Sequence, residues 1–350
     1  MELFEQPEKR SSNSFYMKST PTISLPQGVR DILPDEAERI GSLETGILSV
    51  FAAYGFKKII TPLLEYVDVL SLGVGSELKD RVIKYIDPST GRVMAIRPDI
   101  TPQIARVVAT RMRDHKLPLK LCYNENVIRY QEPRDGKSTE VLQIGAEYIS
   151  QKAGPEADAQ MIAMAAEALS AVGLKDFKID IGDVGFLRKI LESHFDEELR
   201  KTVQSILEKK DTSGLKVFLD DVKGIKAGEK ELLISLTTFY GEEEVIEKAV
   251  SLTKDKGALS SLEYLREVVE IISKKGLKDW ITIDLGEVRG FDYYTGIIFE
   301  GFASGIGKPI LGGGRYDNLL GKYGYPCAAT GFAFDVEHLA AGIEAQSGRK

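Results

Sequence analysis

The chain has 350 residues, 43% of them hydrophobic and 28% charged, enough for a substantial core and more than one structural unit. Its 46 basic and 53 acidic side chains leave a net charge of −7, which disfavours non-specific binding to a phosphate backbone. Two cysteines, Cys122 and Cys327, and three scattered histidines give neither a disulfide framework nor metal-ligand spacing, and no apolar run approaches the ~20 residues of a membrane span.

Residues 1–22 mix Glu, Lys, Ser and Asn without apolar period and read as a disordered tail. No signal-peptide core is visible there, so the expected location is the cytoplasm. From Pro34 to Tyr54, Ile40, Leu43, Ile47, Leu48 and Phe51 fall at helical spacing, with Asp35 and Glu36 opening the first turn. Lys57 to Thr61 reads as a strand running into Pro62, and Val82 to Ile86 and Arg92 to Ile96 as a pair about a turn at Asp87-Pro-Ser-Thr-Gly91. Ile100 to Thr110 is helical, Leu119 to Tyr130 and Val141 to Tyr148 are strand-like, and Ala157 to Val172 is a second clear helix. After a strand at Phe177 to Ile181, the stretch from Phe186 to about Lys278 carries successive helical segments and no sheet signal. Trp280 to Leu285, Ile297 to Phe299 and Ala328 to Phe334 return to strand character, and Val336 to Glu344 closes with a helix. The order of sheet, helices and sheet is an α+β pattern.

Three groups of residues carry candidate chemistry. Arg97-Pro-Asp-Ile-Thr101 places a cation, a carboxylate and a hydroxyl between a strand and a helix, equipment for an ammonium group or simply a helix cap at Asp99. Gln143 and Glu147 lie four apart on one face of a strand, while Ile144 and Ala146 project from the other. That face reads as a pocket wall or as solvated surface. Arg289-Gly-Phe-Asp-Tyr-Tyr-Thr-Gly296 offers a planar cation and two rings with polar tips, fit for an amino-acid ligand, although tyrosine pairs also pack in cores. Leu311-Gly-Gly-Gly-Arg-Tyr-Asp317 reads as a glycine cluster able to cradle an anion, but it lacks the Lys-Ser/Thr of a P-loop.

Glu287 to Glu300 and Leu311 to Asp317 together resemble the two histidine-specific signatures of histidyl-tRNA synthetase. From about Leu25 to Leu339 the order of motifs is similar to the class II aminoacyl-tRNA synthetase core: Lys57 to Leu64 resembles motif 1, the dimer-forming element, and Asn126-Val-Ile-Arg129 through Gln143-Ile-Gly-Ala-Glu147 resembles motif 2. The resemblance implies a mainly antiparallel sheet flanked by helices, with the core at 23–182 and 279–346 and a helical insertion at 183–278. It also implies that Asp99, Thr101, Gln143, Glu147, Arg289, Tyr293 and Tyr294 surround histidine, Asp99 standing where the synthetase has the longer Glu.

The nucleotide side departs from the synthetase. Arg129 matches the arginine that contacts the α-phosphate, but the pattern then becomes Gln131-Glu-Pro, Gly136 and Lys137-Ser-Thr-Glu, and His338 stands where motif 3 has an arginine. An imidazole is shorter, mostly neutral at pH 7, and lacks the permanent forked charge that phosphoryl chemistry wants. Arg129 and His338 therefore read as a vestigial ATP site, and the chain ends soon after His338, without room for an anticodon-binding domain.

This combination resembles the regulatory-subunit paralogues of ATP phosphoribosyltransferase. It implies a non-catalytic protein that joins a short-form catalytic subunit at the first step of histidine biosynthesis, self-associates as a dimer, and takes L-histidine as feedback effector. No catalytic residue, cofactor, metal, tRNA or membrane is expected. The alternatives are a stand-alone amino-acid adenylating paralogue, in which Arg129 and a substituting cation hold ATP, and a structural scaffold.

Overall fold

The structure is a computed structural model that describes residues 24–130, 138–222, 224–288, 290 and 293–348. The expected tail, the loop at 131–137 and Arg289 lie outside the described residues. Helix α1 (Pro34–Ala53) begins with a proline, whose missing N–H has no intrahelical role there, followed by Asp35 and Glu36, whose charge suits the positive end of the helix. Its Ile40, Leu43, Ile47 and Phe51 form one buried stripe.

The chain continues through β1 (Lys57–Lys58), β2 (Leu64–Tyr66), α2 (Val67–Leu70), α3 (Ser76–Lys79), β3 (Lys84–Ile86), β4 (Val93–Ile96) and α4 (Thr101–Arg111). Then come the long strands β5 (Leu119–Ile128) and β6 (Glu140–Ser150), α5 (Pro155–Ala171) and β7 (Phe177–Asp183). Four helices follow, α6 (Val184–His194), α7 (Glu197–Glu208), α8 (Thr212–Asp221) and α9 (Ala227–Ser235), and then β8 (Tyr240–Gly241), α10 (Glu244–Leu252) and α11 (Lys256–Lys274). The last part holds β9 (Ile281–Asp284), β10 (Ile297–Ala303), β11 (Pro309–Arg315), α12 (Leu319–Lys322), β12 (Ala328–Asp335) and α13 (Val336–Ser347).

One nine-stranded sheet runs β1-β5-β6-β12-β11-β10-β7-β9-β8, and a small sheet runs β2-β4-β3. In the large sheet only β1/β5 and β7/β9 pair in parallel, so the expected α+β, mainly antiparallel architecture is what the chain adopts. Three local expectations are corrected. The strand expected from Lys57 to Thr61 pairs only at Lys57 and Lys58, with one further bond from Ile59 N–H to the Cys122 carbonyl, before Pro62, which has no N–H to donate. The helical stretch after β7 is not free of sheet, since β8 caps the sheet edge on β9. Leu311 to Arg315 is not an anion cradle: it is the greater part of β11, its backbone taken up by β10 and β12.

One face of the large sheet carries the main core. Ile144 and Ala146 of β6 and Phe332 and Phe334 of β12 pack there with α1 and α5, Phe51 meeting the Phe332 ring edge-on at 5.7 Å. Truncating a phenylalanine so buried costs about 3–5 kcal/mol. The same apolar cluster continues into α6 to α11 through Leu187, Leu207, Leu219, Leu233, Leu262 and Leu265. A buried ion pair adds a polar tie: Arg315 Nε lies 2.9 Å from Asp158 Oδ2 on α5, and Tyr264 of α11 donates to the same oxygen at 2.8 Å. The opposite face of the sheet, toward α4 and the small sheet, is left open at β6, β12, β11 and β10.

Candidate functional site

Strand register decides what that open face presents. Glu147 pairs with Gly331, which pairs with Gly314, which pairs with Ile298. Two residues on, Tyr123 pairs with Gly145, Gly145 with Ala333, and Ala333 with Gly312. The glycines are what keep the floor low: a Cβ on Gly331 would lie 1.7 Å from Glu147 Oε2, and one on Gly145 would lie 2.3 Å from the Tyr123 ring. A cavity of about 410 Å³ lies over this floor.

Of the expected site residues, Asp99, Thr101, Gln143, Tyr293, Tyr294, Arg129 and His338 line this one cavity, Gln143 and His338 at the Asp335 end, four strand positions from Glu147, and Arg129 within reach of the Asp99 charge. Glu147 sits just behind the wall, 1% exposed. Three hydroxyls donate to its carboxylate: Thr101 Oγ1 at 2.7 Å, Tyr123 OH at 3.4 Å, and Tyr316 OH. Burial pushes the Glu147 carboxyl up to about 8; the hydroxyl donors pull it down, and the neighbouring charge of Asp99 raises it further. Asp99 is raised by burial as well, against the pull of Arg129. Asp99 thus faces the cavity with Glu147 behind its wall, and burial favours the protonated form of both.

Asp99 lies at the start of α4 and its carboxylate takes up backbone N–H groups there. The residue before α4 is Ile100, and the Asp99 carboxylate accepts the Ile100 N–H at 2.9 Å. Arg97, by contrast, is structural: it is 2% exposed, and its guanidinium donates to the Asn126 carbonyl at 2.8 Å, the Thr61 carbonyl at 2.9 Å and Glu125 Oε2 at 2.8 Å. The tyrosine pair sits on a turn ahead of β10 rather than in a strand, both N–H groups donating to the Gly290 carbonyl at 2.8 Å. The two rings meet edge-on at 5.2 Å, and Tyr293 also lies 5.6 Å from Tyr316.

Two polar atoms of this cavity are buried and unpartnered among the described residues: the Tyr293 hydroxyl, and Gln143 Oε1, whose residue pairs across the strands with Asp335. A buried polar group without a partner costs about 1–3 kcal/mol, and a ligand able to bond it recovers that cost. Tyr123 and Tyr316 are the site residues that the sequence reading missed. The alternation of β5 and the Leu311 to Asp317 run contain them, but only the register brings both against Glu147.

The other end is different. Arg129 Nε donates to the Pro98 carbonyl at 2.7 Å, and His338 Nδ1, in the tautomer that carries its proton there, donates to the Pro309 carbonyl at 2.9 Å. Asp335 caps α13 by accepting the His338 N–H at 3.0 Å. Glu300 and Asp335 also line the cavity. Among the described residues no group of three or more His, Cys, Asp or Glu side chains suits a metal ion, and no helix is long and apolar enough to cross a membrane.

The sequence pattern of the histidyl-tRNA synthetase family matches residues 28–339. The ATP phosphoribosyltransferase regulatory subunit of Geobacter sulfurreducens is 43% identical over 321 residues, covering 91% of this chain and 73% of its own length. That of Moorella thermoacetica is 39% identical over 324 residues, 92% of this chain and 82% of its own. Among solved structures, an ATP phosphoribosyltransferase regulatory subunit/histidyl-tRNA synthetase from Bacillus halodurans superposes with a TM-score of 0.86 at 30% identity, covering 93% of this chain and 84% of that one. A histidyl-tRNA synthetase from Nostoc gives 0.78 at 25% identity, covering 94% and 77%. The chain therefore belongs to the histidyl-tRNA synthetase family and, within it, to the ATP phosphoribosyltransferase regulatory subunits.

Proposed function

We propose that the cavity binds L-histidine and that this chain, joined to a short-form catalytic ATP phosphoribosyltransferase, turns histidine level into feedback inhibition of the first step of histidine biosynthesis. The observation that carries the reading is the pair of buried atoms without a partner among the described residues, Gln143 Oε1 and Tyr293 OH, in a cavity backed by Glu147. Histidine answers each feature: its ammonium group suits Asp99, Thr101 and Gln143, and its imidazole N–H suits the Glu147 end. Arg289, by the family resemblance, takes the carboxylate.

The chain acts without catalysis of its own. A triphosphate asks for converging cations, whereas His338 stands where the synthetase resemblance places an arginine, and its ring Nδ1 is bonded to the Pro309 carbonyl. Self-association as a dimer through the motif 1 region is supported by exposed apolar side chains there, Ile60, Leu63, Leu64, Ile86 and Val93. The cytoplasm is the proposed location, and neither tRNA nor a membrane enters the proposed role.

Calorimetric titration of the isolated chain with L-histidine tests the pocket. Saturable binding that collapses in Glu147→Ala is expected. Absence of binding, or binding that Glu147→Ala leaves unchanged, would overturn the assignment.

A further inference from the structure

Helix α6 starts where β7 ends, and its first turns hold the backbone that carries Tyr293 and Tyr294. Asp183 caps the helix, its Oδ1 accepting the Phe186 N–H at 2.8 Å, and pairs across the strands with Ile297, the first residue of β10. The Val184 N–H, which has no intrahelical acceptor at that position, donates to the Gly296 carbonyl at 3.0 Å. One helical turn later, on the same face, Arg188 Nη2 donates to the Tyr294 carbonyl at 2.9 Å. A Cβ on Gly185 would stand 3.5 Å from the Thr295 carbonyl oxygen and 3.3 Å from Ser261 Oγ of α11, so α6 fits closely between the two. From the other side, the Thr295 N–H donates to the Arg315 carbonyl at 2.7 Å. The tyrosine turn is thus clamped between α6 and β11 through its main chain, while both rings line the cavity.

We infer that Arg188 is a positioning residue for the effector pocket: it sets where Tyr293 and Tyr294 stand without touching the ligand. The inference rests on the histidine reading of that pocket. A bond from guanidinium to carbonyl is charge-assisted, and this one comes from a helix whose Leu187, Ile190 and Leu191 are fixed in the core with Leu262 and Leu265 of α11. A pocket wall is only as exact as the elements that support it, and a turn needs such support more than a strand does. By linkage, a ligand that seats the tyrosine wall also steadies the α6 contact, which joins the helical stretch to the pocket.

The test combines calorimetric titration with L-histidine and amide hydrogen exchange, on the full chain and on Arg188→Met, Arg188→Lys and Lys189→Met. Arg188→Met is expected to bind histidine about tenfold more weakly, and Arg188→Lys, whose ammonium can still donate to the carbonyl, within about threefold of wild type. Lys189→Met removes a charge from the exposed face of the same helix and should stay within about twofold. Exchange should quicken in Arg188→Met at the amides of Tyr293, Tyr294 and Thr295 and stay unchanged in β5 and β6. Wild-type affinity in Arg188→Met would overturn the inference. So would faster exchange spread through β5 and β6, which would reduce Arg188 to a prop of the whole fold, or equal weakening by Lys189→Met, which would reduce the effect to net charge. If the wild-type chain does not bind histidine, the pocket reading fails and exchange alone decides the clamp: quickening confined to the tyrosine turn supports it, and unchanged exchange overturns it.

Discussion

At the inner end of the cavity Glu147 is 1% exposed and gathers three hydroxyl donors, while the nearby Tyr293 hydroxyl has no partner among the described residues. At the outer end Arg129 and His338 each direct a ring or guanidinium nitrogen to a prolyl carbonyl, and Asp335 is spent on capping α13. The inner end is ordered by its own network, with the Tyr293 hydroxyl unpartnered among the described residues. At the outer end several of these bonds go to backbone, while Gln143 Oε1, across the strands from Asp335, has no partner among the described residues.

The comparison breaks most visibly if the inner end is not the binding end. Glu147→Ala is expected to weaken L-histidine binding by about 100-fold, roughly 3 kcal/mol, because it removes the acceptor and leaves the Thr101 and Tyr316 hydroxyls without it. Titration calorimetry reads this, and a change below threefold would contradict it. A second consequence follows from protonation. Between the ordinary glutamate range and about 8, the folded chain holds a proton on Glu147 that the unfolded chain has released. Stability from this group is therefore full in acid and declines as pH rises to about 8, with a limiting slope of about 1.4 kcal/mol per pH unit. Other buried carboxyls contribute in the same direction, so the informative quantity is the wild type minus Glu147→Gln. Urea unfolding across pH 5 to 8 should show a shallower slope in the variant, and parallel curves would contradict it.

Tyr293→Phe sharpens the contrast between binding and stability. The hydroxyl has no described partner, so its removal should leave unfolding free energy unchanged or slightly raised, yet reduce histidine affinity about tenfold. Loss of stability without loss of affinity would show that the hydroxyl serves the fold. The smallest effect belongs to the outer end: His338→Ala should change histidine affinity less than about twofold, since its ring nitrogen bonds the Pro309 carbonyl rather than the inner wall. A tenfold loss by the same titration would erase the division between the two ends.

Much of this architecture is legible in the sequence. The period of Ile40, Leu43, Ile47 and Phe51 gives α1, and alternation in β6 sends Gln143 and Glu147 to one face and Ile144 and Ala146 to the other, where they join the core. What is not legible depends on register and on glycine. Tyr123 and Tyr316 lie 24 and 169 positions from Glu147, and nothing local says that they converge on it. The run Gly312-Gly-Gly314 carries no side-chain alternation, so it reads as a loop, although the sheet needs it bare. A Cβ on Gly313 would lie 2.3 Å from that of Phe332, and one on Gly314 would lie 2.5 Å from the Ile297 carbonyl oxygen. The buried pair of Arg315 and Asp158 is hidden for the same reason, its partners lying 157 positions apart.

The most direct measurement is phosphoribosyl transfer by a short-form catalytic subunit from the same source, assayed alone, with this chain, and with this chain plus L-histidine. The account predicts activation by the chain and inhibition on adding histidine, the inhibition lost with Glu147→Ala. No effect in either mixture, or histidine inhibition that persists unchanged in the variant, would contradict it.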